Sequence, residues 1–254
     1  MNPPPTLKHA FSALPLRSLR LCVEQHLSNR RCSPSPDRKM IPRPCENRGL
    51  KIVSTGIYYA LALCAAGAIA FWLAGPWYAA PMGVLALFCL YFFRDPEREI
   101  PPGPVAVSPA DGKVVAVKAE DGGNRLSVFL NVFDVHVNRT PIGGVIEKVE
   151  YQEGRFLVAS REECSRDNEQ NVVTVRGEGT TVTFKQIAGL IARRIVCSIK
   201  VGDEVRKGER IGLIKFGSRC DVHFGPEWEI TVRPGERVAA GSSIIAKRLD
   251  RKSQ

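Results

Sequence analysis

The amino-acid sequence predicts a mainly β-structured domain that follows a two-helix membrane hairpin. Three observations support this fold class. Two uncharged apolar runs, 53–73 and 77–93, are separated only by a short turn. From residue 105 onward, β-branched residues alternate with other residues between glycine turns, which is typical of short strands in a compact barrel or sandwich. Two segments of that region, 107–115 and 201–212, also resemble each other loosely and indicate an internal repeat.

The start of the chain, residues 1–50, is basic, rich in Pro and Ser, and without sustained periodicity. We expect this extension to be disordered, with Met40 as an alternative start of the protein. The chain of 254 residues has a formal net charge of +10, which favours an anionic partner such as a membrane surface, a nucleic acid or an acidic substrate. Because no nucleic-acid-binding motif is found, we do not expect nucleic acid to be that partner.

The hairpin is assigned to residues 51–95. An α-helix needs about 20 apolar residues to cross a bilayer, which the first run meets and the second meets marginally. Trp72, Trp77 and Tyr78 lie at the turn, where amphipathic aromatic side chains favour the membrane interface. Basic residues flank both outer ends and are absent from the turn, so both ends and the domain after them are expected in the cytoplasm. A buried hairpin of a soluble domain is the alternative.

The β-rich domain is assigned to residues 96–247, with a short tail at 248–254. Only 155–164 has a weak helical pattern. Each half of the internal repeat looks like half of a lipoyl or biotinyl hammerhead barrel, so a non-catalytic carrier domain is one alternative function. A carrier needs a lysine at a hairpin tip, and Lys113 is too close to a strand start. The eight cysteines include no Cys-x-x-Cys pair, so we expect neither a metal site nor a disulfide framework.

Four separated motifs carry a family resemblance. They are Phe-Arg-Asp-Pro-Glu-Arg at 93–98, Ser-Pro-Ala-Asp-Gly-Lys at 108–113, Asn-Val-Phe-Asp-Val-His-Val-Asn-Arg-Thr-Pro at 131–141, and Lys-Phe-Gly-Ser-Arg at 215–219. In this order they resemble the phosphatidylserine decarboxylases of the short type, over roughly residues 50–247.

The resemblance implies that the chain cuts its own Gly217–Ser218 bond and converts Ser218 into a covalent pyruvoyl group. That group would form a Schiff base with the amine of phosphatidylserine and give phosphatidylethanolamine and CO2. The products of cleavage, residues 1–217 and 218–254, would stay together as a heterodimer, open to further oligomerisation. No metal or diffusible cofactor is then required. Because a diacyl substrate stays in the bilayer, the hairpin and its basic flanks then indicate a cell-membrane enzyme whose catalytic domain is cytoplasmic.

Two site residues have support beyond the resemblance. Gly217 lacks a Cβ and tolerates the strained backbone that attack by the next residue requires. Near His136 the alternation of apolar residues slips at 133–134, which indicates a bulge of the kind that re-aims side chains near active sites. A histidine also exchanges protons near neutral pH. The family uses a histidine at this place for decarboxylation.

Three further residues are weaker candidates. Asp111 precedes a glycine and fits an ordinary turn, but the resemblance places it in an Asp-His-Ser relay for self-cleavage. Arg139 stands where long-type members have a second histidine, so the relay does not carry over whole. Either His136 serves both steps or His223, close to Ser218 in sequence, assists. A membrane-anchored serine hydrolase using Ser218 is an alternative, although the Gly-x-Ser-x-Gly elbow is absent.

Overall fold

The computed structural model describes residues 51–249, apart from 121, 160–161, 191–194 and 216. The expected disorder of 1–50 and most of the predicted tail lie outside the described residues. The elements in chain order are β1 (Lys51–Ile52), α1 (Ser54–Ala74), α2 (Pro76–Phe92), β2 (Arg94–Asp95), β3 (Val105–Val107), β4 (Gly112–Glu120), β5 (Gly123–Leu130), β6 (Val137–Arg139), β7 (Gly144–Gln152), α3 (Cys164–Asp167), β8 (Gln170–Gly177), β9 (Thr180–Ala188), β10 (Ile195–Cys197), β11 (Glu204–Val205), β12 (Arg210–Ile214), β13 (Ser218–Phe224), β14 (Trp228–Ile230), β15 (Arg237–Val238) and β16 (Ile244–Arg248).

The predicted helix pair is confirmed to within one residue at each end. Helix α1 has 21 residues and a mean hydropathy of 1.9, and among the described helices it alone is long and apolar enough to cross a membrane. Helix α2 is shorter, at 17 residues. The helices approach closely at Gly67, where an added Cβ would lie 3.3 Å from the Cβ of Met82. Strands β1 and β2 pair antiparallel and bring the two outer ends of the hairpin together.

The predicted β domain is also confirmed. Its main sheet has eight strands in the order β11-β7-β8-β9-β13-β5-β4-β15, and two three-stranded sheets, β10-β12-β6 and β14-β16-β3, complete the domain. Each of the two resembling segments connects two strands that lie in different sheets, β3 to β4 and β11 to β12. Lys113 pairs with Phe129 inside the main sheet, so it does not occupy the hairpin tip that a carrier lysine requires.

The helix expected over 155–164 is wrong. The described residues from 155 to 163 form turns and loop, and the short helix Cys164–Asp167 begins only at the end of the segment. The physical reason is a competing set of backbone hydrogen bonds. The amide of Arg155 donates to the carbonyl of Asp167 at 2.6 Å, and the amide of Glu169 donates to the carbonyl of Arg155 at 3.0 Å. The second bond occupies the Arg155 carbonyl, which would have accepted the first hydrogen bond of a helix starting at this residue.

Strand β13 lies inside the main sheet, between β5 and β9, and is antiparallel to both. Its even-numbered residues Cys220, Val222 and Phe224 belong to the hydrophobic core. Because side chains alternate along a strand, Ser218 lies on this core face and the odd-numbered residues lie on the opposite face. Both neighbours of β13 end where it begins, so the row Leu130–Ser218–Ala188 marks one end of the sheet.

Candidate active site

Ser218 begins β13 at the sheet end and is completely buried. Its Oγ is one of the few buried side-chain atoms in the described part of the chain that has no hydrogen-bond partner. A hydroxyl buried without a partner costs about 1–3 kcal/mol, so its persistence calls for a functional reason. The preceding residue, Gly217, has a φ of +62°, in the left-handed region that favours glycine. The predicted scissile bond is therefore at a backbone turn into a fixed strand.

The carbonyl of Gly217 is packed against Gly189, which follows β9. A Cβ added to Gly189 would lie 2.1 Å from the Gly217 oxygen and 3.0 Å from its carbonyl carbon. No side chain can be placed there without displacing this carbonyl. Gly189 therefore shapes the space around the bond that the family cuts, and the sequence reasoning missed it. The only signal in the sequence is a glycine directly after a strand-patterned stretch.

His136 has a defined tautomer and a free nitrogen. Its Nδ1 lies 2.8 Å from the carbonyl oxygen of Asp134 and must donate a proton to it, because a carbonyl only accepts. Nε2 is then unprotonated, and it has no hydrogen-bond partner among the residues described. The ring is 2% exposed and stacks on Phe92, with centroids 4.2 Å apart. Burial lowers the pKa of His136 to about 4, against a weaker opposing effect of Asp134.

The structure brings the His136 segment and Ser218 to the same end of the sheet. The amide of Ile214, four residues before Ser218, donates to the carbonyl of His136 at 3.3 Å. Ile214 also packs with Ala188, the residue that pairs with Ser218 on β9. Two buried polar atoms without partners, Ser218 Oγ and His136 Nε2, thus belong to one region. At neutral pH the imidazole is uncharged and can accept a proton.

Asp111 lies beside this region but is fully engaged. Its carboxylate accepts hydrogen bonds from Arg98 Nη2 and from the amide of Ala240, each at 2.7 Å. Burial raises the pKa of Asp111, and these two donors offset the effect only in part. The next residue, Gly112, packs on β5 so closely that an added Cβ would lie 3.3 Å from the Cα of Leu130, which pairs with Ser218. Asp111 directly precedes β4, which is separated from β13 and Ser218 by β5, and it holds a turn in place.

Arg139 lies in a buried cluster that connects the hairpin to the β domain. Its guanidinium donates to Asp95 Oδ1 at 2.9 Å and to the carbonyls of Gly208 and Pro96 at 3.0 and 3.2 Å. Burial lowers the pKa of Arg139, although Asp95 opposes this effect. Arg210 donates to the same carboxylate. Where long-type relatives have a second histidine, this chain thus has a residue that fixes the exit of α2.

His223 is not brought together with Ser218. It lies five residues along the same strand, about 16 Å away at 3.3 Å per residue, and on the opposite face. Its Nδ1 lies 3.3 Å from Glu120 Oε2. It lines a cavity of about 470 Å³ together with charged residues that include Lys185 and Glu162. Proximity in sequence was therefore a poor guide to proximity in the fold.

A buried ionic network on that opposite face was also missed. Arg219, the residue after Ser218, is 1% exposed and donates to Asp221 Oδ1 and Ser127 Oγ, both at 2.7 Å. Asp221 Oδ2 accepts from Ser165 Oγ at 2.6 Å and from Arg125 Nη1 at 3.3 Å. Burial alone would raise the pKa of Asp221, but the charge and hydrogen bonds of Arg219 outweigh it and lower the pKa. The signal in the sequence for this network was the pair of charged residues at alternate positions of one strand, Arg219 and Asp221.

Comparison with known proteins agrees with this geometry. A family profile described as phosphatidylserine decarboxylase matches residues 85–246. A protein of Solibacter usitatus named phosphatidylserine decarboxylase proenzyme is 79% identical over 204 residues, which cover 80% of this chain and 100% of that protein. A protein of the same name from Cupriavidus taiwanensis is 45% identical over 183 residues, covering 68% and 85%. One from Saccharopolyspora erythraea is 46% identical over 177 residues, covering 65% and 75%.

The matches reach well beyond the four motifs and include the strands that enclose Ser218. These relatives are named as proenzymes, that is, as precursors that are processed before they act. The chain therefore belongs to the phosphatidylserine decarboxylase family.

Proposed function

We propose that this chain cleaves itself between Gly217 and Ser218, keeps a pyruvoyl group at residue 218, and uses it to decarboxylate phosphatidylserine in the membrane. One observation carries the proposal: a buried Ser218 hydroxyl without a hydrogen-bond partner follows a glycine in the left-handed region. Membership of the family supplies the substrate and the reaction class.

The residues present fit the formation of this group. Ser218 Oγ adds to the carbonyl carbon of Gly217, and the amide C–N bond breaks to leave an ester and a free amine. Loss of the Ser218 Cα proton then expels the Gly217 carboxylate and leaves dehydroalanine. Its enamine tautomerises to an imine, and water hydrolyses the imine to pyruvoyl with release of ammonia. The close packing of Gly189 on the Gly217 carbonyl favours one orientation of the electrophile.

His136 is the base that we assign to the region. Its Nδ1–H is held by the carbonyl of Asp134, so Nε2 is the atom that accepts a proton. With a pKa of about 4, the ring stays neutral throughout the physiological pH range. We assign both the cleavage and the later decarboxylation to this imidazole, because Arg139 is held by Asp95 and His223 lies on the opposite face of β13. We give Asp111 a positioning role in the turn next to Leu130.

The pyruvoyl group supplies an electrophilic carbonyl that serves as an electron sink when CO2 leaves. The chain supplies the enclosure. Phe92 covers one side of the His136 ring, and the row formed by Leu130, Ser218 and Ala188 closes the sheet end. A buried, water-poor site strengthens the electrostatic interactions that stabilise developing charge.

The fold supports the proposal that the two products of cleavage stay together. Residues from Ser218 onward form β13, β14, β15 and β16. Strand β13 is hydrogen-bonded on both sides, to β5 and β9, which belong to the larger product. Its core residues Cys220 and Val222 are completely buried. Ladder hydrogen bonds and apolar burial therefore retain the smaller product without a covalent link. Assembly into larger oligomers remains a prediction.

We place the catalytic domain on the cytoplasmic face of the cell membrane. The support is the basic flanks at the outer ends of the hairpin, where Arg94 and Arg98 follow α2. Each cationic side chain near an anionic surface contributes about 1 kcal/mol of attraction. Protease added to inside-out vesicles should digest the β domain, and right-side-out vesicles should protect it. Protection in inside-out vesicles would reverse the orientation.

Trapping of substrate tests the chemistry. Borohydride added during turnover of radiolabelled phosphatidylserine should fix the label on the smaller product, at residue 218. Ser218→Ala should remain uncut and unlabelled under the same conditions. Label on the larger product, or equal labelling of Ser218→Ala, would remove the pyruvoyl mechanism.

A further inference from the structure

We propose that the sheet end around Ser218 docks directly onto the lipid surface through exposed apolar side chains. The apolar rim consists of Phe133, Val158 and Leu190. We infer that these side chains enter the boundary between head groups and acyl chains of an anionic phospholipid monolayer. The inference rests on the membrane location proposed above, but not on the pyruvoyl chemistry.

The rim residues surround one end of the sheet. Strands β5 and β9 both end at the row that contains Ser218, and Phe133 and Leu190 follow them by three and two residues. Phe133 is 63% exposed and Leu190 is 58% exposed. Exposed apolar side chains of this size on the loops that follow both neighbours of β13 indicate an interaction surface more strongly than a single exposed residue does.

Val158 is held at the same end by Asn168. The Asn168 side chain donates to the carbonyl of Ala188 at 2.7 Å and to that of Leu157 at 2.9 Å. It also accepts from the amide of Leu157 at 2.9 Å. These bonds fix the residue before Val158 next to the last residue of β9. The exposed Val158 side chain therefore lies at the same end of the main sheet as Leu190.

Contacts with the hairpin indicate that the occupant is a lipid surface. The carbonyl of Phe133 accepts from Arg94 Nη2 at 2.8 Å and from the Tyr91 hydroxyl at 3.4 Å. Tyr91 is in the last turn of α2, and Arg94 follows that helix directly. Phe133 is thus tied to the level at which α2 leaves the bilayer. The rim continues the membrane-facing surface of the hairpin into the catalytic domain.

Charge at the same level matches an anionic monolayer. The guanidinium carbon of Arg94 lies 3.8 Å from the centre of the Tyr91 ring, and Lys215 Nζ lies 3.4 Å from the hydroxyl of Tyr59 on α1. Apolar side chains flanked by cations are the pattern of surfaces that bind at the interface of anionic membranes. A surface of this kind would hold the Ser218 region against the leaflet that contains the diacyl substrate.

Photocrosslinking in vesicles tests the contact. The full chain is prepared with p-benzoylphenylalanine in place of Phe133, Leu190 or Val201 and reconstituted in vesicles containing phosphatidylglycerol and phosphatidylcholine. Val201 is the matched control, because it is 62% exposed and lies beside β11 at the opposite end of the sheet. After irradiation, mass spectrometry should find a phospholipid adduct at positions 133 and 190 and none at 201. Equal adducts at all three positions, no adducts, or crosslinked protein dimers would overturn the proposal.

A kinetic comparison separates docking from catalysis. We expect Phe133→Asp and Leu190→Asp to lower the ratio of turnover on vesicles to turnover on detergent-dispersed phosphatidylserine by about tenfold each, equivalent to about 1.4 kcal/mol. Val201→Asp should leave the ratio unchanged. Intact mass reports cleavage in each variant, so failure of the processing mechanism is distinguished from failure of docking. An unchanged ratio in both rim variants would contradict the proposal.

Discussion

Ser218 and Arg219, adjacent residues on opposite faces of β13, differ in how their polar groups are satisfied. On the core face, the Ser218 hydroxyl is buried without a partner in the described part of the chain. On the opposite face, Arg219 and Asp221 are equally buried but bond to each other, to Ser127 and to Ser165. Adjacent residues of one strand thus have opposite polar environments.

This contrast indicates how β13 could stay in the sheet after the proposed cleavage of the bond before it. The proposed cleavage before Ser218 would remove the covalent link where β13 begins, so the new end would need another anchor. Arg219 supplies it, because its partner Ser127 lies on β5, in the larger product. The Ser218 hydroxyl has no hydrogen-bond partner among the described residues, and the side chain next to it is held by Ser127 and Asp221. The predictions below test each face in turn.

The largest effect is expected for His136→Ala on the reactive face. Loss of a general base typically costs about 10²–10⁴-fold in rate. Cleavage should also slow if His136 serves both steps, and gel electrophoresis would show the uncut chain accumulating. Turnover at the normal rate would remove His136 from the mechanism.

The pH dependence sharpens the same assignment. Burial lowers the pKa of His136 to about 4, so the neutral base is present above pH 4 and is lost as the pH falls through that value. The acidic limb of turnover should therefore lie near pH 4 and not near 6.5, the ordinary value for histidine. A limb near 6.5 would indicate a solvated histidine.

The next effect concerns the anchoring face. In the uncut Ser218→Ala background, Asp221→Asn leaves the buried Arg219 and Arg125 without their shared carboxylate. Removal of one partner from a buried ionic network costs about 3–5 kcal/mol of unfolding free energy. Denaturant titration measures this, with Arg176→Ala as a control because the Arg176–Glu147 pair is exposed and should contribute less than about 1 kcal/mol. Equal losses in the two variants would contradict an anchoring role.

Gly189→Ala should slow cleavage and also lower stability, because the added methyl group meets backbone atoms of Gly217. Its methyl group would lie 2.1 Å from the Gly217 oxygen and displace the electrophile. A misplacement of about 1 Å can cost about 10²-fold in rate, so we expect cleavage to slow by about 10–100-fold. Gly83→Ala is the matched control, since nothing lies within 4 Å of its added Cβ. Normal cleavage by Gly189→Ala would show that the carbonyl position is not critical.

The smallest effect is expected for Asp111→Asn. The amide keeps an oxygen for the Ala240 amide but loses the charge that attracts Arg98. Cleavage should slow a few-fold through a looser turn, followed over time by gel electrophoresis. Complete loss of cleavage would support a role for Asp111 in a proton relay. An unchanged rate of cleavage would show that Asp111 only stabilises the turn.

The sequence was sufficient for features that depend on local pattern. Apolar length predicted both helices, and the slip in alternation before His136 marked a segment that leaves the regular strand. Features set by long-range contacts were not predictable in this way. Arg219 meets Ser127, 92 residues away, and Gly189 meets Gly217 across the sheet. His223 was expected near Ser218 because the two are close in sequence. Five residues of extended strand place it at the other end of β13 and on the opposite face.

Intact-mass measurement of the purified protein under denaturing conditions tests the central claim most directly. The account predicts two chains that meet between Gly217 and Ser218. The smaller chain should lack a free amino terminus and should be lighter than a serine-initiated chain by the mass of one ammonia. Ser218→Ala should remain one chain, whereas Ser218→Cys and Ser218→Thr should cut slowly because each keeps a nucleophile. A fully active wild-type protein that remains one chain with an ordinary Ser218 would contradict the account and favour a serine hydrolase.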